Sequence, residues 1–259
     1  MSPFNYVVLM RILFFLIILS ALWSEITAAS SDISAHFSTS NIQPWGYLND
    51  KNQADGLLTK LAKALEKETN IYIDNQIRPY PRVIHEIKIG TTDFAVMFNS
   101  PQSRAIAVSI GRVVNPKIVL TALSDSEKVT DLSQLKGKAV GYLRGSKYGA
   151  VFDNNNELNK VSLGSMEQGI KMLLTHRIHA MVGTEHSFYF TLKKLKISTD
   201  KVIPIFTVNE TSADLYFSKK SKNKYLIEPF KKALQTLREK GILHDIFYQN
   251  NYMPKTKHY

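Results

Sequence analysis

The 259-residue chain contains no cysteine. That absence excludes disulfides, thiolate metal sites, a cysteine nucleophile and a cysteine-borne lipid anchor. Tryptophan is scarce, at two residues. There is no G-x-S-x-G elbow, no phosphate-binding P-loop and no G-x-G-x-x-G fingerprint, so the common hydrolase, nucleotide and dinucleotide signatures are missing. No internal repeat, low-complexity linker or nucleic-acid-binding motif is present. After residue 30 no apolar run approaches the length of a membrane span.

What is present is a globular composition, 44% hydrophobic and 21% charged, with a net charge of +11. The lysines are scattered, with short runs at Lys193-Lys194, Lys219-Lys220 and Lys231-Lys232. Such spacing reads as a solvated surface rather than a nucleic-acid face. The first thirty residues carry one cation, Arg11, then an apolar run from Ile12 to Leu19, then small residues at Thr27, Ala28 and Ala29. This is the order of a secretory signal peptide cleaved after Ala28 or Ala29, assigned to residues 1–29, and it predicts export to the periplasm. A retained membrane anchor is the alternative reading of the same segment.

The remaining chain alternates strand-like and helical patterns, which predicts an α/β fold. Strands are expected at Asp32–Ser38, Ile71–Ile77, Phe94–Phe98, Ala139–Leu143, Ala180–Gly183, Val202–Val208 and Asp214–Ser218. Helical faces are expected over Gly56–Thr69, Tyr80–Ile89, Ser165–His176 with Ser165 as cap, Ser187–Leu195, Tyr225–Lys240 and Ile242–Phe247.

Five segments, in order, carry a resemblance: PWGYLNDKNQADGLLTKLAKAL (44–65), YPRVIHEIKIGTTDFAVMF (80–98), SPQSRA (100–105), DLSQLKGKAVGYLRGSKYG (131–149) and MLLTHRIHAMVGTEHS (172–187). Together they resemble the extracellular solute-binding proteins, family 3, which serve amino-acid ABC transporters. The resemblance implies a two-lobed periplasmic binding protein of type II, each lobe a mixed sheet flanked by helices, joined by two hinge crossovers. Lobe 1 would comprise residues 32–119 and 207–259, and lobe 2 residues 120–206. It implies a monomer that closes on a small solute, an inner-membrane ABC permease as partner, no cofactor and no catalysis.

The same resemblance selects the candidate site. Arg104 matches the arginine that grips a ligand carboxylate, and a guanidinium fork suits that task. Ser100 stands four residues before it, where the family usually spaces its hydroxyl three. Gly145 and Ser146 match a turn that closes from lobe 2, expected to open a helix and offer N–H groups to an anion. Trp45 and Tyr80 match aromatic positions flanking the ligand, with Tyr47 a lesser candidate, and Arg82 would add positive charge. Thr184 occupies the place of the aspartate that holds a ligand ammonium, Glu185 follows it, and His179 stands where an acid is frequent. An amino acid, a dicarboxylate or another anion all remain open as solutes.

Two other classes stay open. A cyclohexadienyl-dehydratase-like enzyme on this fold would need a placed acid, for which Glu185 or Glu210 are the candidates. A ligand sensor would act through a membrane partner. His176, His179 and His186 are close in sequence, but their spacing is unlike a compact pair of metal ligands, so no metal is expected.

Overall fold

The computed structural model describes residues 33–253. The expected signal peptide and its cleavage site lie outside the described residues. The chain divides after Ser34, and the architecture below is that of the body from Ala35 onward.

In chain order the strands are β1 (Ser34–Ser40), the two-residue pair β2 (Tyr47–Leu48) and β3 (Ala54–Asp55), β4 (Tyr72–Arg78), β5 (Phe94–Phe98), β6 (Ala107–Val114), β7 (Lys117–Leu123), β8 (Ala139–Leu143), β9 (Asn159–Leu163), β10 (Ala180–Thr184), β11 (Val202–Glu210) and β12 (Ala213–Ser218). The helices are α1 (Leu57–Thr69), α2 (Tyr80–Ile89), α3 (Pro101–Ile106), α4 (Ala150–Asp153), α5 (Met166–Leu174), α6 (Glu185–Leu195), α7 (Ile227–Glu239) and α8 (Ile242–Tyr248). No described helix is long and apolar enough to cross a membrane.

Two five-stranded mixed sheets organise these elements. The first has the order β4-β1-β5-β12-β6, with β1 parallel to β5 and β12 antiparallel to both its neighbours. The second has the order β11-β7-β10-β8-β9, with β8 parallel to β9 and β10, and β7 antiparallel to β10 and β11. The chain passes between sheets twice, from β6 into β7 and from β11 into β12. The expected boundaries at 119/120 and 206/207 fall inside β7 and β11, whose whole lengths belong to the second sheet.

Each sheet is covered on both faces, so each lobe has a divided core. In lobe 1, α1, α7 and α8 pack on one face through Leu61, Leu65, Phe230, Leu234 and Phe247. The rings of Phe94 and Phe230 stack at 4.3 Å. The opposite face is closed by α2, which buries Val83 and Ile87 against Met97 and Tyr216. Each fully buried side chain of this size contributes about 1.5–3 kcal/mol. In lobe 2, α5 and α6 cover one face through Ile170, Leu173, Phe188 and Leu192, while Tyr148 and Phe152 pack on the other.

Helix ends follow local chemistry. Ser165 caps α5 and Thr184 caps α6, each accepting a hydrogen bond from the backbone N–H three residues on. Asn70 ends α1 and Gly90 ends α2, both left-handed. One expectation changes here. The Gly145–Ser146 pair forms a turn but does not open a helix, which begins only at Ala150 after Gly149. The polar stretch at 131–137 forms a short 3-10 turn over Leu132–Leu135, closed by a capping box from Asp131 and Gln134.

Candidate functional site

The two lobes face each other across a cleft with a cavity volume of ≈ 70 Å³. Lobe 1 contributes Ser40, Trp45, Tyr80 and Phe98, and lobe 2 contributes Ser146, Lys147, Tyr148, Thr184 and Ser187.

Trp45 is placed by the start of α1. The first N–H groups of a helix lack internal partners. Here the N–H of Leu57 donates to the Pro44 carbonyl at 2.9 Å, and that of Leu58 to the Trp45 carbonyl at 2.8 Å. The loop therefore caps the helix while the helix fixes the loop. Gly56 makes this possible, with φ at 112° and no Cβ, since a Cβ there would lie 2.7–2.9 Å from the backbone of residues 44–46.

The indole Nε1–H of Trp45 crosses the cleft and donates to Thr184 Oγ1 at 3.1 Å. Thr184 also accepts from the Ser187 N–H at 3.2 Å and donates to Ser187 Oγ at 3.0 Å. One donor and two acceptor positions are all that a hydroxyl offers, so Thr184 is fully engaged. Behind this contact the Trp45 ring packs on His186 at 5.0 Å and Phe247 at 6.1 Å. His186 is fully buried. Its Nε2–H donates to the Phe247 carbonyl at 3.0 Å, which leaves Nδ1 without a partner. Burial pushes its pKa down to about 4 against the opposing pull of that carbonyl, so the ring is neutral.

Tyr80 stands at the first turn of α2, between Pro79 and Pro81, whose fixed φ suits a helix start. Burial, helped by Tyr216, pushes its phenol up to about 12. Gly145 is left-handed at φ 78°, and a Cβ there would come 2.9 Å from Pro81 Cγ of the opposite lobe. Ser146 lines the cleft, while its N–H is engaged by the Leu143 carbonyl at 3.1 Å.

Ser100 caps α3, accepting from the Ser103 N–H at 3.1 Å, and lines a flanking hollow continuous with the cleft through Tyr80, Phe98, Lys147 and Tyr148. Arg104 is exposed and is not among the residues lining either space; its guanidinium donates to the Asn99 side chain. The one-residue offset from the family spacing explains this. Three residues after the cap, Ser103 is buried and donates to the Phe98 carbonyl at 2.7 Å. One residue further turns the side chain about 100° around the helix. Arg82 is also exposed and pairs with Glu86 at 2.8 Å. Burial alone would raise the Glu86 pKa, but hydrogen bonds from Ser38 and Arg82 and the charges of Arg78 and Arg82 bring it below the usual range.

Glu185 is half-buried outside the cleft lining, near Lys117 and Glu210, and burial raises its pKa. Tyr47 lies in a side pocket with Phe190 and bonds Asp55 at 3.3 Å. Among the described residues, no group of three or more His, Asp or Glu side chains could hold a metal. Sequence reasoning passed over Ser40, Phe98, Lys147, Tyr148 and Ser187. Lys147 and Tyr148 directly follow the chosen Gly145–Ser146 turn, and the second glycine at 149 marks the whole loop as one unit.

No curated protein matches the sequence. Solved structures of the same fold do. The chain superimposes on a mutant of the arginine-binding protein ArgBP from T. maritima with a TM-score of 0.71 at 13% identity, covering 85% of this chain and 95% of that one. A substrate-binding protein of an amino acid ABC transporter gives 0.71 at 16% identity, covering 84% and 100%. A histidine kinase sensor domain with similarity to periplasmic binding proteins gives 0.71 at 14% identity, covering 84% and 94%. These likenesses establish the two-lobed fold. Residues 37–252 match the sequence pattern of one family along nearly the whole described body, and the chain belongs to the bacterial extracellular solute-binding proteins, family 3.

Proposed function

We propose that this chain is a periplasmic binding protein that captures a small organic solute between its lobes and delivers it to an ABC permease in the inner membrane. One observation carries the reading: side chains from both lobes converge on a single cleft, and the lobes are joined by two strand crossovers able to act as a hinge. Trp45, Tyr80, Ser146 and Thr184 form the walls, Gly145 faces Pro81 of the opposite lobe, and Ser100 belongs to the flank. Arg104, Arg82 and Glu185 stand outside the wall and have no part in the proposed contact. Lobe 2 closes because a ligand fits the closed form better than the open one.

The chain acts as a binder rather than an enzyme on this reading, because no carboxylate or neutral histidine lines the cleft among the described residues. A second reading, supported by the sensor domain of like fold, is that closure signals to a membrane partner instead of delivering the solute.

The test is a thermal-shift screen of the purified protein against amino acids, dicarboxylates and ring acids. A cognate solute at a hundredfold excess over its Kd stabilises the folded state by about 2.7 kcal/mol. A shift shared by one chemical class is the expected result. No shift with any class would remove solute capture as the function.

A further inference from the structure

Lys147 is the one charged side chain lining the central cavity among the described residues. It stands at the mouth, where the cavity meets its flanking hollow. It makes no ion pair with any described residue. Asp153, which lines the flanking hollow with it, accepts from the backbone N–H groups of Tyr148 and Gly149 at 3.2–3.3 Å. Inward from Lys147 the walls are aromatic and aliphatic: Trp45, Tyr80, Phe98 and Tyr148, with Leu143 and Met97. Thr184, the hydroxyl at the place of the family's ammonium-binding acid, is saturated by Trp45 and Ser187.

Two charges decide what fits. A carboxylate at the mouth gains an ammonium that no other described side chain neutralises. A ligand ammonium in the same cavity would lose its hydration and find no acid. We infer that the solute is an aryl- or arylalkyl-carboxylate with one negative charge and no ammonium group. Its ring lies among Trp45, Tyr80 and Tyr148, where aromatic faces pack favourably, and its carboxylate meets Lys147. The inference rests on the solute-binding reading above and names the class of that site's ligand.

Three probes sharing one ring test it: 3-phenylpropionate, L-phenylalanine and 2-phenylethylamine. They are titrated into the purified protein alongside the common amino acids, with calorimetry and the fluorescence of Trp45 as readouts. The expected result is that 3-phenylpropionate binds about tenfold or more tightly than L-phenylalanine, with 2-phenylethylamine inert. Lys147→Met loses about tenfold or more for 3-phenylpropionate, and Lys147→Arg keeps most of it. Lys147 is exposed, so both variants fold. L-phenylalanine binding as well as or better than 3-phenylpropionate, or an indifferent Lys147→Met, overturns the inference. If only other amino acids bind, the inference fails while solute capture stands; if nothing binds, both fail.

Discussion

His186 is the residue on which the closed arrangement is most exposed to acid. It belongs to lobe 2 and sits fully buried against Trp45 and the Phe247 carbonyl, both of lobe 1. Its pKa is about 4 in the fold against an ordinary 6.5. The unfolded chain therefore binds a proton between those values that the folded chain refuses, so stability is full above pH 6.5 and lost as pH falls toward 4. A depression of that size corresponds to about 3 kcal/mol. The melting temperature should drop steeply between pH 6.5 and 4, and His186→Gln should flatten that part of the profile; an unchanged profile would show that another group governs it. At this scale single positions decide where a motif's side chains stand. Arg104 is one residue past the inward-facing place on α3, which Ser103 holds. A one-letter offset in a motif is a rotation of about 100° in a helix, and no spacing rule on its own shows which side of the helix faces the cleft.

At the scale of the element, segments bounded by plain turns were legible, and the two adjoining strands that lead from the first sheet into the second were not. The bounds of α2, β5 and β8 coincide with the expected ones, because their periodicity and flanking turns are plain. Neither β6 nor β7 was foreseen. The second is an interior strand buried on both faces, so its run KIVLTAL shows no alternation. The first is an edge strand whose register against β12 shifts twice. The connection between loop and helix at Gly56 yields a prediction of its own. Gly56→Ala puts a methyl into the backbone of residues 44–46 and forces a left-handed φ on a side chain. It should destabilise the fold by about 2 kcal/mol and shift Trp45 fluorescence, as measured by denaturant unfolding. A neutral outcome would mean that the loop relaxes freely and does not depend on the helix start.

At the scale of the whole molecule, the lobes meet where Gly145 faces Pro81. Gly145→Asn isolates the steric effect, since asparagine tolerates a left-handed backbone better than other side chains. The added atoms should hold the lobes apart, raising the radius of gyration in solution scattering and weakening any solute that needs both walls, with little change in melting temperature. An unchanged radius would show that the lobes close without this contact. The two-lobed layout was legible because five segments kept a familiar order. The electrostatics of the cleft were not, because a net charge of +11 says nothing of where the cations point. Arg104 and Arg82 line neither space, and the lysine that lines the cleft follows directly on a turn read for its glycine and serine.

The position of β12 in the first sheet sets the order in which a growing chain can finish its parts. That strand lies between β5 and β6, yet it is made some hundred residues after them. The second sheet, by contrast, draws on one unbroken stretch from β7 to β11. As the polypeptide becomes free to fold from its N-terminal end, lobe 2 can be complete while the earlier-made strands of lobe 1 still wait, unpaired along their middle edge, for residues 213–218. The half that is born first is the half that is finished last, and through that interval it is the part that a chaperone would have reason to hold.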